Sequence, residues 1–220
     1  MKGRMKRMSE VEVKPKAFHG ETLIADYLLQ KHQETLEKLS TKKENEIWVH
    51  ELCECSLKRK WRKKLPWLEA SSPQMVIGDF LHRGFLSWLK ESGFYEVEVE
   101  LAKEFNGYLI KGRADAISDE EVLELKYMGG FRERNPLQHH VLQLRIYLWM
   151  AGKYRGRLVY MTPDGFAEYP VNDPISDMEL VELFETQKAP RWEEWECSYC
   201  PYKNWCGEAV FHRETGGRRR

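Results

Sequence analysis

Apolar and polar residues repeat with two different periods along this chain, and the change of period separates predicted helices from predicted strands. Residues 74–91 place large apolar side chains three or four positions apart, which predicts an amphipathic helix. Residues 94–127 alternate apolar and polar positions, which predicts three strands, with a tight hairpin turn at Asn106-Gly107. The apolar face predicted for the helix consists of Ile77, Leu81, Phe85, Trp88 and Leu89.

The other segments extend this order on both sides. Further helices are predicted at residues 21–44, 46–65, 136–152 and 174–188, and further strands at 156–162 and 166–171. Helix, three strands, helix and two strands together predict an α/β domain, which we expect to form one unit over residues 21–212. A loose N-terminal segment at 1–20 and a basic tail at 213–220 are expected to flank it.

The composition allows a sizeable core but leaves the partner open. Apolar residues make up 42% of the 220 positions, whereas charged residues make up 32% and cancel to a formal net charge of zero. Global charge therefore argues neither for nor against a nucleic acid partner. No apolar run is long enough to span a membrane and the first residues do not resemble a signal peptide, so we expect a cytoplasmic protein without a membrane partner.

A local concentration of charge is more informative. Residues 58–64 (KRKWRKK) are basic in six of seven positions. Basic residues beside a Trp are compatible with phosphate contact, although a solvated helix face is the simpler explanation. Trp61 and Trp67 could stack on unpaired bases, with packing in the core as the favoured role.

Five cysteines predict a site for a metal or a cluster rather than disulfides, because their number is odd and their spacing uneven. Cys197, Cys200 and Cys206 follow the pattern C-x2-C-x5-C in the segment 190–208. A C-x2-C turn lets two thiolates face one ion, and a third cysteine nearby completes most of a tetrahedral shell. The fourth ligand would be Cys55 or Cys53, and spacing alone does not separate zinc from an iron–sulfur cluster.

The predicted strands bring together three charged residues that suit catalysis. Asp115 and Glu124 lie on neighbouring strands joined by a short turn, so that pairing the strands places the two carboxylates side by side. Converging carboxylates repel unless a cation lies between them, and oxygen ligands suit Mg²⁺ or Mn²⁺. Lys126 points to the same strand face as Glu124 and could stabilise the charge that develops during phosphodiester hydrolysis. A surface hairpin with an incidental Glu–Lys pair is the alternative.

Two further features favour the catalytic interpretation. His82, in the predicted helix at 74–91, could supply an additional metal ligand. Gln143 and Tyr147 are four residues apart and so share one face of the next helix, where they could bind a phosphate or position water. His139 and His140 are expected at the surface.

These motifs, in this order, resemble those of RecB-type nucleases in the PD-(D/E)XK superfamily, and with the cysteines they are similar to the CRISPR-associated nuclease family Cas four. The resemblance covers about residues 50–206 and rests on His82, Gly112-Arg113-Ala114-Asp115, Glu124-Leu125-Lys126, Gln143-x3-Tyr147 and the cysteines. It implies a RecB-like nuclease core, a mixed central sheet flanked by helices, with a 4Fe–4S cluster formed by the flanking N-terminal and C-terminal segments.

The resemblance also implies an activity. The protein would be a metal-dependent DNA exonuclease that trims single-stranded ends into spacer precursors beside the CRISPR integrase complex. His82, Asp115, Glu124 and the Leu125 carbonyl would hold one Mn²⁺ or Mg²⁺ ion. The catalytic and substrate-positioning residues would be Lys126, Gln143 and Tyr147. A nuclease of repair or recombination and a non-enzymatic zinc-ribbon DNA-binding module are the alternatives.

The first cluster ligand is expected to be Cys55 rather than Cys53. If residues 46–65 are helical, the two thiols point nearly opposite ways, and Cys53 shares an apolar arc with Val49 and Leu52. Cys55 adjoins the basic run, whose charge is expected to lower the pKa of its thiol. The resembling family also places its first cysteine just before a basic segment.

Overall fold

The computed structural model describes residues 23–69, 72–130, 136–193 and 195–210. The predicted loose segment at 1–20 and the predicted basic tail at 213–220 lie outside these residues. The single domain expected over 21–212 stays a prediction. Within the described residues, no helix combines the length and apolar character needed to cross a bilayer.

The described residues form helices and strands in nearly the predicted order. The helices are α1 (Leu23–Thr41), α2 (Val49–Leu52), α3 (Ser56–Lys64), α4 (Pro73–Ser92), α5 (Gln138–Ala151), α6 (Asp177–Thr186) and α7 (Glu196–Tyr199). The strands are β1 (Glu46–Trp48), β2 (Glu96–Phe105), β3 (Tyr108–Ile117), β4 (Val122–Tyr127), β5 (Gly156–Thr162) and β6 (Gly165–Val171). A 3-10 turn spans Pro66–Leu68.

Local sequence explains where several of these elements begin and end. Ser72 caps α4, because its hydroxyl accepts a hydrogen bond from the backbone N–H of Met75 at 3.3 Å. The β2–β3 turn uses Asn106 and Gly107, whose φ angles of 48° and 77° suit the tight hairpin that the sequence predicts. Ser176 and Glu179 form a capping box at the start of α6.

All six strands form one mixed sheet, as the predicted fold class requires. β1 is parallel to β3 and β4 is parallel to β5, whereas β2–β3, β3–β4 and β5–β6 are antiparallel pairs. Strand β3 lies at the branch of this sheet, because β2 pairs along one of its edges while β1 and β4 share the other.

The shared edge of β3 contains a gap that positions the candidate site. β1 pairs with residues 109–111 of β3, and β4 pairs only with residues 116 and 117. Within the described residues, positions 112–115 therefore have no strand partner on that edge, and we call this gap the fork. Backbone groups in the fork need other partners, which side chains provide.

Helices cover both faces of the sheet. One apolar cluster includes Leu144 and Leu148 of α5 with Ile110 and Leu158 of the strands. A second cluster combines Leu86 and Leu89 of α4 with five buried strand residues, namely Ala116, Leu123, Leu125, Val159 and Met161. The fork thus lies between two packed layers, which hold its side chains in fixed positions.

Two predictions about local structure were wrong. Residues 46–65 do not form one helix, since Glu46–Trp48 is a short strand and the chain turns between α2 and α3. The buried face of α4 includes Val76, Leu86 and Leu89, whereas the predicted face members Ile77, Leu81 and Trp88 are exposed. A helix with apolar residues on two sides gives no sequence signal for which side meets the sheet.

Candidate active site

Strand pairing brings the two predicted carboxylates together at the fork. β3 and β4 separate after two paired residues, and there the Asp115 carboxylate replaces a ladder contact by accepting a hydrogen bond from the backbone N–H of Leu125 at 2.6 Å. This bond ties Asp115 directly beside Glu124 on the neighbouring strand. The sequence-based prediction that the hairpin juxtaposes these carboxylates is therefore confirmed.

Glu124 carries the clearest sign of an incomplete site. Its side chain is only 1% exposed, and one oxygen, Oε2, has no hydrogen-bond partner among the described residues. The other, Oε1, lies 2.6 Å from Lys126 Nζ. Burial, and next the charge of Asp115, raise the pKa of Glu124 to about 7. A buried carboxylate oxygen without a donor is costly and needs a cation or a proton.

Lys126 lies on the strand face predicted for it and supplies a fixed positive charge. Burial lowers the pKa of Lys126, but the charges of Glu124 and Asp115 outweigh this effect and raise the pKa overall. The ammonium group therefore stays protonated at neutral pH. Its position two residues after Glu124 follows from the two-residue period of a strand.

Helix α4, which packs on the sheet, brings His82 into contact with the Asp115 carboxylate. His82 Nε2 lies 2.8 Å from Asp115 Oδ1. Burial lowers the pKa of His82, whereas the hydrogen bond and the charge of Asp115 raise it by more, so that the pKa is raised overall. The predicted partner of the carboxylate hairpin is thus in contact with it.

Gln143 and Tyr147 share one face of α5, as predicted, and extend from the site into the fork. Gln143 Nε2 donates a long hydrogen bond of 3.5 Å to the Tyr147 hydroxyl. Tyr147 packs against Gly112, where an added Cβ would lie 2.6 Å from the Tyr147 ring. Burial, and next the charge of Glu124, raise the pKa of Tyr147, which keeps its hydroxyl protonated.

One cavity of about 470 Å³ contains most of the predicted site. The predicted residues that line it are His82, Asp115, Glu124, Leu125, Lys126 and Gln143. Tyr147 does not line this cavity and instead borders a neighbouring one. The cavity also includes Tyr27 and Lys31 of α1 and Asp79 of α4, which sequence analysis missed. Asp79 precedes His82 by three residues and so shares its helix face, the one signal that could have found it.

The donors present fit a divalent metal ion, although they are not arranged around one. Among the described residues, no group of three or more His, Cys, Asp and Glu side chains is positioned to hold an ion as it stands. The unpartnered Oε2 of Glu124, the neighbouring Asp115 and the imidazole of His82 are nevertheless the oxygen and nitrogen donors that Mn²⁺ or Mg²⁺ accepts.

Four of the five cysteines line a second, much smaller cavity. These are Cys55 at the start of α3 and the three cysteines of the C-terminal segment, Cys197, Cys200 and Cys206. Cys53 is buried in the main apolar cluster and does not line this cavity. Four thiols from two distant chain segments fit a tetrathiolate metal site or an iron–sulfur cluster.

Hydrogen bonds already fasten the two cysteine-bearing segments together. The buried carboxylate of Glu196 accepts backbone N–H groups from Cys55 at 2.5 Å and from Arg191 at 2.8 Å. Trp192 Nε1 donates to the Cys53 carbonyl at 2.7 Å, and the N–H of Ser56 donates to the Lys188 carbonyl at 3.0 Å. The two cysteine-bearing segments are therefore joined by protein contacts in addition to any cluster that their cysteines bind.

The basic run is only in part the solvated helix face that the sequence favours. Arg62 is buried and pairs with Glu54, and Lys58 Nζ lies 2.8 Å from Glu54 Oε2, so part of the run is neutralised internally. Burial raises the pKa of Cys55 to about 11, contrary to the expected lowering by nearby cations. Trp67 is exposed, so the favoured core role was wrong for it.

The two neighbouring histidines of α5 are half-buried rather than at the surface, which corrects the prediction. Nδ1 of His140 lies 2.9 Å from the Tyr160 hydroxyl, and His139 packs against the Trp195 ring with 4.7 Å between centroids. Burial, and next the charge of Lys126, lower the pKa of His139 to about 4. Burial, and next the charge of Lys126, also lower the pKa of His140, so both rings are neutral packing groups at pH 7.

Comparisons with known proteins agree with this geometry. The family model described as the PD-(D/E)XK nuclease superfamily matches residues 22–207. The chain is 39% identical over 201 residues to CRISPR-associated exonuclease Cas4 of Saccharolobus solfataricus, a match that covers 84% of this chain and 98% of the relative.

Solved structures share the fold. The crystal structure of SSO0001 superposes with a TM-score of 0.77 at 38% identity, covering 86% of this chain and 98% of the other. An alkaline exonuclease, LHK-Exo of Laribacter hongkongensis, has a TM-score of 0.50 at 11% identity and covers 69% of this chain and 88% of its own. At that identity the second likeness concerns the fold alone.

Proposed function

This chain belongs to the Cas4 family of the PD-(D/E)XK nuclease superfamily, and on that basis we propose that it is a metal-dependent exonuclease acting on single-stranded DNA ends. One observation carries the assignment of the site. Glu124 is buried beside Asp115 at the wall of a cavity of about 470 Å³, and one of its carboxylate oxygens has no partner in the part of the chain that the structure describes. A structural hairpin with an incidental ion pair gives no reason to leave that oxygen without a donor.

Membership of this superfamily implies the use of a divalent metal ion. We propose that His82, Asp115, Glu124 and the Leu125 carbonyl hold it, and that the ion is Mn²⁺ or Mg²⁺. When bound, such an ion supplies positive charge beside the scissile phosphate and makes water a better nucleophile at neutral pH. Without the ion, burial and the charge of Asp115 disfavour the ionised form of Glu124, which is why its pKa is raised.

Lys126 and Gln143 act on the substrate directly, and Tyr147 acts through Gln143. Lys126 keeps its proton and places a fixed positive charge near the phosphate, where negative charge grows in the transition state. Gln143 lines the cavity and presents its amide to the substrate strand, while the Tyr147 hydroxyl holds that amide in place from within the fork. Packing of Tyr147 against Gly112 fixes this pair with little freedom.

We further propose a 4Fe–4S cluster bound by Cys55, Cys197, Cys200 and Cys206, with a mainly structural role. Its support is that these four thiols share one small cavity and that Cys53 does not reach it. The cluster would reinforce the hydrogen bonds that already join the segment around Cys55 to the segment around Glu196. Freshly purified protein should then be brown, whereas a zinc site would leave it colourless.

The cellular role that fits this family is the trimming of DNA ends into spacer precursors, in the cytoplasm and beside the CRISPR integrase complex. This role predicts that the protein binds the integrase and yields ends of defined length in its presence. A role in repair or recombination predicts instead that the integrase changes neither binding nor product length. The zinc-ribbon alternative leaves the cavity carboxylates without a purpose.

The exonuclease proposal is tested by comparing linear and covalently closed circular single-stranded DNA of the same sequence. With Mn²⁺ or Mg²⁺ present, the linear form should be degraded from an end and the circular form should survive. Chelation of the metal should stop the reaction. Degradation of the circle at the same rate would replace the exonuclease by an endonuclease, and absence of cleavage under all of these conditions would refute the proposed function.

A further inference from the structure

Helix α1 contributes Tyr27 and Lys31 to the lining of the cavity without joining the core. None of its residues is buried, and side chains attach it to the rest of the molecule. The Tyr27 hydroxyl donates a hydrogen bond to Asp79 of α4, and the Tyr27 ring packs on Phe80 with 5.1 Å between centroids. His32 Nδ1 reaches the Glu69 carbonyl at 3.1 Å. The helix is therefore held by polar contacts whose geometry determines where its side chains lie.

These contacts bring one lysine of α1 to the cavity. Lys31 lines the same cavity as Asp115 and Glu124, one helical turn after Tyr27. Its Nζ lies 3.8 Å from Asp79 Oδ2, too long for a hydrogen bond, and 3.2 Å from Glu34 Oε2. The side chain is 25% exposed, so Lys31 faces the cavity without being committed to one buried partner.

Lys31 and Lys126 differ in how firmly carboxylates hold them at the cavity. Of the described residues that line it, these are the two lysines, and no arginine is among them. Lys126 is bound to Glu124 at 2.6 Å. Lys31 could leave Asp79 without stranding a charge, because Asp79 keeps the Tyr27 hydroxyl and Arg83 NH2, the latter at 3.2 Å.

We propose that Lys31 binds a DNA phosphate next to the scissile one, and that the Tyr27–Asp79 contact positions α1 so that Lys31 faces the strand. This inference rests on the proposed nuclease function of the same cavity. Lys31 is then a substrate-binding residue, whereas Tyr27 and Asp79 are positioning residues. A lysine suits this task, since it contacts phosphate through charge rather than base identity, as a sequence-independent nuclease requires.

The affinity for single-stranded DNA and its dependence on salt concentration both report on this contact. Loss of one lysine–phosphate contact should weaken binding of single-stranded DNA about tenfold at low salt. It should also reduce the slope of log affinity against log salt concentration by about 0.7, the contribution of one phosphate on a single strand. In the active enzyme, loss of this contact should raise KM by a similar factor. The value of kcat at saturating DNA should stay within about twofold, because Lys31 contacts a neighbouring phosphate rather than the scissile one.

The binding experiment uses the full chain with Glu124→Gln, without metal, and a fluorescent single-stranded oligonucleotide followed by anisotropy over a range of salt concentrations. Lys31→Gln is compared with Lys90→Gln, which removes an exposed lysine in the last turn of α4, away from the cavity. Lys90→Gln should change neither affinity nor slope. Equal affinity and slope for Lys31→Gln and its parent would overturn the proposal.

Tyr27→Phe separates positioning from general damage, because it keeps the ring on Phe80 and removes only the hydroxyl contact to Asp79. Alone it should weaken DNA binding, and in the Lys31→Gln background it should add almost nothing, since its effect passes through Lys31. Fully additive effects would refute the positioning role. Binding is measured without cleavage, so a failure of the nuclease assignment and a failure of this inference remain distinguishable.

Discussion

Replacement of Gly112 by Ala is a sharp test of how the fork is built. A Cβ at this position would lie 2.6 Å from Tyr147 Cε1 and 2.7 Å from Val49 Cγ2, closer than Cβ contacts found in real proteins. Tyr147 is 4% exposed and Val49 is 1% exposed, so both side chains are packed and neither leaves room for the added methyl group. The added methyl group must therefore displace the Tyr147 ring or the β3 backbone.

The size of the effect follows from the cost of overpacking a core, about 1–3 kcal/mol. Gly112→Ala should lower the midpoint of equilibrium urea denaturation at an unchanged m-value, which isolates a change in stability. For a chain of this size the corresponding loss in Tm is roughly 2–12 °C. Cleavage should fall as well, because a displaced Tyr147 no longer fixes the amide of Gln143.

Gly84→Ala is the matched control. Gly84 lies inside α4, and an added Cβ there meets no atom within 4 Å. Alanine in an exposed helix interior should stabilise the protein by about 0.5–1 kcal/mol, through the helix backbone alone. A Gly112→Ala protein as stable as the wild type, or a Gly84→Ala protein that loses as much stability, would refute the packing argument.

Three further predictions concern the ligands. Cys55→Ala should yield colourless, destabilised protein and Cys53→Ala should stay coloured, as recorded by visible absorbance; the reverse pattern would make Cys53 the ligand. Lys126→Ala should slow cleavage strongly but keep Mn²⁺ affinity, whereas His82→Ala should weaken Mn²⁺ binding in calorimetry. If Lys126→Ala loses Mn²⁺ binding and His82→Ala keeps it, the proposed roles of the two residues are wrong. Burial and Asp115 raise the pKa of Glu124 to about 7, so a proton competes with the metal and Mn²⁺ affinity should fall as the pH drops below about 7. The same raised pKa stabilises the metal-free protein at low pH, a contribution lost as the pH rises through about 7 and absent in Glu124→Gln.

Local sequence was sufficient to place the carboxylates and the lysine of the hairpin and to put Gln143 and Tyr147 on one face of α5, although it was not sufficient for the buried face of α4. Asp115, Glu124 and Lys126 lie within twelve residues, so a turn and the two-residue period of strands fix their relation. Gln143 and Tyr147 are related in the same way by one helical turn. These positions follow from short-range geometry, which pattern analysis describes well.

Contacts between segments that are distant in the sequence could not be predicted from local patterns. The contact of Tyr27 with Asp79 joins residues 52 positions apart, and nothing near either residue announces it. Strand β1 has three residues and pairs in parallel with β3, so it carries neither alternation nor a hairpin turn. The preference for Cys55 assumed a continuous helix, which the chain does not form. The thiol's position in the cysteine cavity supports the preference on other grounds.

The two carboxylates at the fork define the proposed active site, and the Glu124→Gln variant tests their role most directly. Glu124→Gln keeps the size and burial of the side chain while removing the charge that would hold a metal ion. With linear single-stranded DNA and saturating Mn²⁺, the variant should unfold at or above the urea concentration of the wild type, yet lose Mn²⁺ binding and cleavage. Wild-type cleavage by a folded Glu124→Gln protein would contradict the assignment of this cavity as the active site.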